Sequence, residues 1–149
     1  SSMKLIAHKG NVNGPDTSKE NTPEQIDWCI ENGYDVEVDI RYNPETDKFY
    51  LGHDGPDSEV NWWWLAGRQA NLWIHCKDFT TLHEFVTNTS GYNYFWHQGD
   101  DYTLTSQGQI WASSGKPYKE DTVMVIENPE DIKEYDCYAI CSDYVGKLG

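Results

Sequence analysis

The stretch that most restricts the fold is Tyr34-Asp35-Val36-Glu37-Val38-Asp39-Ile40. Val36, Val38 and Ile40 share one parity and Asp35, Glu37 and Asp39 share the other, which is the period-two signature of a β-strand. As ordinary solvent-facing surface such a face is unfavourable, because Asp and Glu are poor strand formers and neighbouring like charges repel. A cation between Glu37 and Asp39 removes the conflict. Shortly afterwards Tyr50-Leu51-Gly52-His53-Asp54 forms a second short apolar run that ends in a histidine. Residues 33–54 therefore read as the metal-binding half of an active site.

The segments around this strand fall into an alternating order. Lys4-Leu5-Ile6-Ala7 reads as a first buried strand that runs into His8-Lys9-Gly10 and a polar loop through Asn21. Thr22-Pro23-Glu24-Gln25 supplies a capping residue, a proline at the first helical position and a glutamine where a capping box requires one. Ile26, Cys29 and Ile30 give that helix an apolar side, and Asn32-Gly33 stops it. Strand, helix and strand make a βαβ unit, hence a parallel sheet with a right-handed crossover. Asn43 to Asp47 reads as a turn, and Lys48 to Gly52 as an antiparallel return strand. Leu72 to Cys76 is the next strand, followed by a helix over Thr80 to Thr87. Asn93 to His97, Gln109 to Ala112, Thr122 to Ile126 and Tyr138 to Cys141 are further strands, some with little room for helices between them. The pattern predicts an α/β chain with a small, trimmed and distorted TIM-barrel-like fold.

With 149 residues, the chain has room for one ordinary domain, spanning 1–149. Seven Trp and ten Tyr help so short a chain fill a core. Ser1-Ser2 ahead of Met3 reads as a remnant of expression. A formal net charge of -14 argues against non-specific nucleic-acid binding and against docking on anionic lipid. The apolar runs fall far short of the roughly 20 residues that a membrane helix needs, so the expectation is a soluble, cytoplasmic protein without membrane insertion. Cys29, Cys76, Cys137 and Cys141 lack C-x-x-C spacing, which predicts free thiols rather than a zinc knuckle or a disulfide framework. Trp62-Trp63-Trp64 reads as an aromatic cover over the core or hairpin, or alternatively as a lid or sugar-stacking surface.

Several strands end in the C-terminal direction at a polar residue: His8, Asp39, His75 and His97. In a parallel α/β barrel such ends share one face, where active sites are built. His53 joins them if its hairpin folds over the same mouth.

His8-Lys9-Gly10, Glu20-Asn21-Thr22, Glu37-Val38-Asp39 and His53-Asp54 resemble, in order and spacing, the H-R-G, E-N-T, E-x-D and H-D motifs of glycerophosphodiester phosphodiesterases. That family belongs to the phospholipase C-like phosphodiesterase superfamily, and the likeness covers roughly the first third of the chain. It implies a distorted TIM barrel that binds one divalent cation, Mg2+ or Ca2+ in the first instance, with Mn2+ or Zn2+ as alternatives. It implies that His8 and His53 are the general acid and base, and that Glu37 and Asp39 ligate the metal. Where the family often carries E-x-K, this chain has His75-Cys76-Lys77. His75 is thus a candidate ligand that is softer and less charged than a carboxylate. Glu20 is a further candidate ligand. Lys9, in place of the family's arginine, and Lys77 are candidate phosphate binders. His97, Trp111 and Asp143 are candidate substrate contacts.

The chemistry agrees with these assignments. Phosphodiester cleavage requires one proton removed, one delivered and charge stabilised on the phosphoryl oxygens, and two histidines titrating near neutrality can share the proton work. The expected activity is metal-dependent hydrolysis of a small or carbohydrate-linked glycerophosphodiester-type substrate. The alternatives are a module that binds phospho-ligands without turnover and a lyase that releases a cyclic phosphate.

Overall fold

The computed structural model describes residues 3–132 and 134–148. Its first strand, β1 (Lys4–His8), is followed by helix α1 (Pro23–Glu31) and strand β2 (Asp35–Asn43). A three-stranded antiparallel excursion comes next, through β3 (Lys48–Leu51) and β4 (Ser58–Val60), and a short helix α2 (Trp62–Ala66) closes it. The remaining elements are β5 (Leu72–Cys76), α3 (Phe79–Asn88), β6 (Asn93–Phe95), β7 (Tyr102–Leu104), β8 (Ile110–Ala112), β9 (Val123–Val125) and β10 (Ala139–Ser142).

Seven strands run parallel in the order β6-β5-β2-β1-β10-β9-β8. The excursion adds β3 and β4 antiparallel to β2, and β7 pairs antiparallel with β8. Strand β2 is the hub. Its Glu37 and Asp39 carbonyls point to one edge, where they accept from Lys9 N and Gly52 N at 2.9 and 3.0 Å, so β1 and β3 lie along the same side. Its Ile40 carbonyl points the other way, to Lys77 N at the end of β5.

No ladder joins β6 to β8 among the described residues, and the barrel stays open there. Ser106 crosses part of the gap. Its N–H donates to the Tyr94 carbonyl at 2.8 Å, and its hydroxyl accepts from Tyr94 N at 2.9 Å. Inside, Phe95 and Trp111 stack with centroids 4.7 Å apart, and Trp73 meets Trp111 at 5.7 Å. These aromatics, with Ile6, Val123, Ala139 and Cys141, form the barrel interior. A second and larger core lies outside the sheet, where Val36, Val38, Ile40 and Ile74 pack against Ile26 and Cys29 of α1, Phe85 of α3 and Phe49 of the excursion.

The local signals operate as expected, with two differences. Thr22 caps α1 and Asn32-Gly33 ends it, Gly33 adopting a left-handed φ of 90°. Gln25, however, does not complete a capping box: its side-chain amide donates to the Gly10 carbonyl at 2.8 Å and ties α1 to the loop after β1. The strand expected over Asn93 to His97 stops at Phe95, because the chain turns into the His97–Asp100 loop. The three consecutive tryptophans form α2. Trp62 packs edge-on against Phe49 at 4.5 Å and Trp64 lies beneath Arg68, whereas Trp63 is 86% exposed. All four cysteines are free and buried. Among the described residues no helix is long and apolar enough to cross a membrane.

The interior aromatics replace helices as the filling of the barrel's thin side, which sets a stability contrast. Trp111→Ala is expected to lower the unfolding free energy by about 3–5 kcal/mol, whereas Trp63→Ala changes it by less than about 0.5 kcal/mol. Chemical denaturation followed by far-UV circular dichroism checks both. Equal losses at the two positions would refute this account of the core.

Candidate active site

The C-terminal ends of the parallel strands surround a cavity of about 190 Å3. His8, Glu37, Asp39, His53, His75, Phe95, His97 and Trp111 line it, with Ser113, Ser114, Val125, Glu127 and Cys141 on the far side. The site begins with the parity of β2. Because Val36, Val38 and Ile40 are drawn into the outer core, Asp35, Glu37 and Asp39 must all face the barrel interior, and each is at most 8% exposed. Asp35 lies at the closed end and is consumed structurally. It accepts from Trp73 Nε1 at 3.1 Å and Asn71 Nδ2 at 3.2 Å, with Lys4 Nζ at 3.5 Å.

Asp39 is held from several directions. Asn21, buried and left-handed at φ 53°, donates from Nδ2 to Asp39 Oδ2 and accepts from Asp39 N, both at 3.0 Å. His53 Nδ1 lies 3.2 Å from the same Oδ2. Oδ1 is left facing His75 Nδ1 at 3.2 Å and Lys77 Nζ at 4.0 Å. Glu37 has less support: Lys9 N donates to Oε1 at 3.3 Å, and among the described residues Oε2 makes no hydrogen bond, His75 Nδ1 lying 3.7 Å away.

The ring of His75 is locked. Its Nε2 is 2.9 Å from the His97 backbone carbonyl, an acceptor only, so Nε2 carries the proton. Phe95 stacks on the ring at 5.2 Å and 8°. Nδ1 then turns toward the two carboxylates: with a proton it faces Asp39 as a donor, and once that proton is lost it offers a lone pair to the cavity. Donor atoms of Glu37, Asp39 and His75 all lie within 4.8 Å of one another; His75 Nδ1 is 3.2 Å from Asp39 Oδ1 and 3.7 Å from Glu37 Oε2, separations that one ion with ligand bonds of about 2.1 Å can span. Two carboxylates and an imidazole nitrogen converge there, with Lys77 Nζ no nearer than 4.0 Å to Asp39 Oδ1, and such a donor set fits a divalent cation. This triad could hold one.

His8 and His53 stand beside the two carboxylates. His8 Nδ1 is 2.9 Å from Asp143 Oδ1, and its Nε2 is 3.7 Å from Glu37 Oε1. His53 sits on a loop that depends on Gly52, where an added Cβ would lie 1.8 Å from the Gly55 carbonyl oxygen. Arg41 secures this loop by donating to the His53 carbonyl at 2.7 Å and the Gly52 carbonyl at 3.3 Å.

Burial pushes the Glu37 carboxyl up to about 7, and the neighbouring Asp39 charge adds to the effect. Burial also pushes Asp39 upward, but hydrogen bonds from His75 and Asn21 and the nearby positive charges outweigh it and hold that carboxyl low. For His8 and His75 burial favours the neutral ring. Hydrogen bonds to Asp143 and Asp39, respectively, and the Glu37 charge overcome this and raise both above 6.5.

Of the candidates named from sequence, His8, Glu37, Asp39, His53, His75, His97 and Trp111 meet at the cavity. Glu20 does not join the triad. Asn11 Nδ2 donates to its Oε2 at 3.0 Å, and Lys9 Nζ lies 3.8 Å from its Oε1. Lys9 and Lys77 do not line the cavity: Lys9 Nζ is turned to Glu20, and Lys77 Nζ lies 4.0 Å from Asp39 Oδ1. Asp143 is hydrogen-bonded to His8, and Asn11 donates to the same Oδ1 at 2.9 Å. His97 meets His75 through its backbone, while its own Nε2 donates to the Asp100 carbonyl at 2.6 Å. The tryptophan triplet is not part of the cavity wall. Sequence reasoning gave no role to Asn21, Asn11 and Arg41. For Asn21 one cue existed, since asparagine tolerates the left-handed turn and its amide can donate and accept at once. Arg41 and Asn11 carry no comparable cue.

No family model and no curated protein matches the sequence. Among solved structures the chain is similar to the crystal structure of a putative glycerophosphodiester phosphodiesterase from Galdieria sulphuraria. The TM-score is 0.52 at 12% identity, over 97% of this chain and 95% of that one. The fold is therefore a mixed α/β, trimmed and distorted barrel of the kind seen in that phosphodiesterase-like structure.

The raised groups give the metal-free chain a pH dependence with a defined sign. Folded Glu37 keeps a proton up to about 7 that the unfolded chain gives up near 4.5, so raising the pH through that window costs stability. His8 and His75 act in the same direction, their stabilising protonation being complete below 6.5 and lost as the pH rises through their higher folded values. In the presence of a chelator, the melting temperature is expected to fall between about pH 5 and about pH 8. A flat or rising thermal-shift profile would contradict this electrostatic picture.

Proposed function

We propose that the chain, as a single domain, is a metal-dependent phosphoric diester hydrolase acting on a small or carbohydrate-linked glycerophosphodiester-type substrate. The observation that carries this reading is the pairing of one imidazole with each of Glu37 and Asp39 around a candidate cation triad. His8 stands beside Glu37 and His53 beside Asp39, each with Nδ1 engaged by a carboxylate. Such a pair can remove a proton from the nucleophile and deliver one to the leaving oxygen. Asp143 orients His8 so that Nδ1 carries the proton and Nε2 turns toward the cavity. Glu37, Asp39 and His75 hold the divalent cation, which supplies charge stabilisation for the phosphoryl oxygens. Lys9 and Lys77 add positive charge close by, offsetting the repulsion that a chain of net charge -14 exerts on an anion. His97 and Trp111 contact the substrate, and the 190 Å3 cavity suits a small one.

His8→Ala and His53→Ala are each expected to lower turnover of glycerophosphodiesters or a chromogenic bis-phosphodiester by at least about 100-fold. The circular dichroism spectrum should be unchanged in both variants. Phosphorus NMR should show a phosphomonoester as final product. Wild-type turnover in either variant would remove that histidine from the mechanism, and absence of cleavage by the metal-loaded parent chain would overturn the hydrolase reading.

A further inference from the structure

We infer that the triad of Glu37, Asp39 and His75 takes its cation through the His75 ring nitrogen and is thereby biased toward imidazole-seeking transition ions such as Zn2+, and away from Ca2+ and Mg2+; this rests on the metal-dependent reading of the site.

The His97 carbonyl at 2.9 Å can only accept, so it fixes the proton on His75 Nε2. That carbonyl is itself restrained, because His97 Nε2 donates to the Asp100 carbonyl at 2.6 Å. Phe95, stacked at 5.2 Å, prevents the ring from swinging out of the cavity. Nδ1, 3.2 Å from Asp39 Oδ1 and 3.7 Å from Glu37 Oε2, is therefore the nitrogen that a cation can take by displacing its proton.

Asp39 Oδ2 is already occupied by Asn21 and His53, which leaves Oδ1 as that residue's open donor. Glu37 is buried at 3% exposure and its Oε2 makes no hydrogen bond among the described residues, an acceptor aimed at the same point. The inner donor set is thus two oxygens and one nitrogen. Hard ions such as Ca2+ and Mg2+ are held by oxygen donors, and an imidazole in place of an oxygen lowers affinity for them while raising it for Zn2+ and its neighbours. A backbone carbonyl that accepts from Nε2 and so fixes the tautomer is the arrangement that makes an imidazole a good ligand.

Any oxygen and nitrogen site binds Zn2+ more tightly than the harder ions to some degree, so the informative quantity is how the preference depends on residue 75. His75→Gln keeps an N–H for the His97 carbonyl and the same charge, and exchanges the ring nitrogen for an oxygen. Chelator-stripped full-length protein would be titrated calorimetrically with Zn2+, Mg2+ and Ca2+. The ratio of Zn2+ to Ca2+ affinity is expected to fall by at least about tenfold in His75→Gln. In His75→Glu the ratio falls as well, with Ca2+ binding strengthened by the added charge. Nitrogen-15 NMR of the parent chain should show Zn2+ shifting His75 Nδ1 rather than Nε2. An unchanged ratio in both variants, unmoved His75 nitrogens, or a parent site that prefers Ca2+ or Mg2+ would overturn the inference while leaving a metal-dependent enzyme intact. A parent chain that binds none of the three ions would overturn it together with the metal-dependent reading.

Discussion

Three carboxylates on one strand, pointing into the interior of a barrel, are the constraint on which the structure depends. A barrel of this kind is ordinarily filled by branched apolar side chains, and an unpaired charge placed there costs several kcal/mol. Each of the three must be met by donors or by positive charge. The compensation is graded along β2. Asp35, at the closed end, is fully occupied by Trp73, Asn71 and Lys4. Asp39 has Asn21 and His53 on one oxygen and faces His75 with the other. Glu37, between them, is buried beside the Asp39 charge with one backbone N–H, too little to offset the burial, and its carboxyl rises to about 7. The strand is satisfied as structure at one end and left short of positive charge at the other. That deficit defines the site.

The same strand organises the fold, because it is the point where the parallel barrel and the antiparallel excursion meet. β1 and β3 share one edge of β2 while β5 takes the other, so His8, His53 and His75 are delivered to neighbouring positions from widely separated segments. The excursion is what brings His53 back over the mouth. Opposite β2 the barrel is thin. There, among the described residues, no α-helix follows α3 to cover the sheet, and Trp73, Phe95 and Trp111 supply the bulk from inside. The high aromatic content is thereby accounted for: large flat side chains close a space that three-residue strands cannot close by hydrogen bonding alone.

Much of this was legible in the sequence where the signal was local. The parity of residues 34–40, the proline-containing cap of α1 and the Asn32-Gly33 stop depend on near neighbours, and they hold. The convergence of His8, Asp39 and His75 followed from the general property that parallel strand ends share a face. What could not be read were contacts set by distant packing. Gln25 left its expected cap: the Thr22 N–H that it would have accepted from donates to the Lys19 carbonyl instead, and the Gln25 amide donates to the Gly10 carbonyl. Glu20 turned to Asn11 and Lys9 rather than to the triad, and Asp143, expected to meet substrate, bonds to His8 from 135 residues away. The short β4 and β7 carry too few residues for a period-two pattern to emerge, and their pairing comes from the strands beside them.

His75 and the open side of the barrel belong to one arrangement. The segment after β6 borders the gap, and with no ladder to hold it there it is fixed by His97 and its loop. The His97 carbonyl that results points at residue 75 and demands a donor. A carboxylate in that place would set two acceptors against each other, whereas a histidine donates from Nε2 and still offers Nδ1 to the cavity. The residue that completes the triad is therefore the one that the trimmed wall can accommodate. In this chain the open wall and the candidate nitrogen donor meet at the same hydrogen bond.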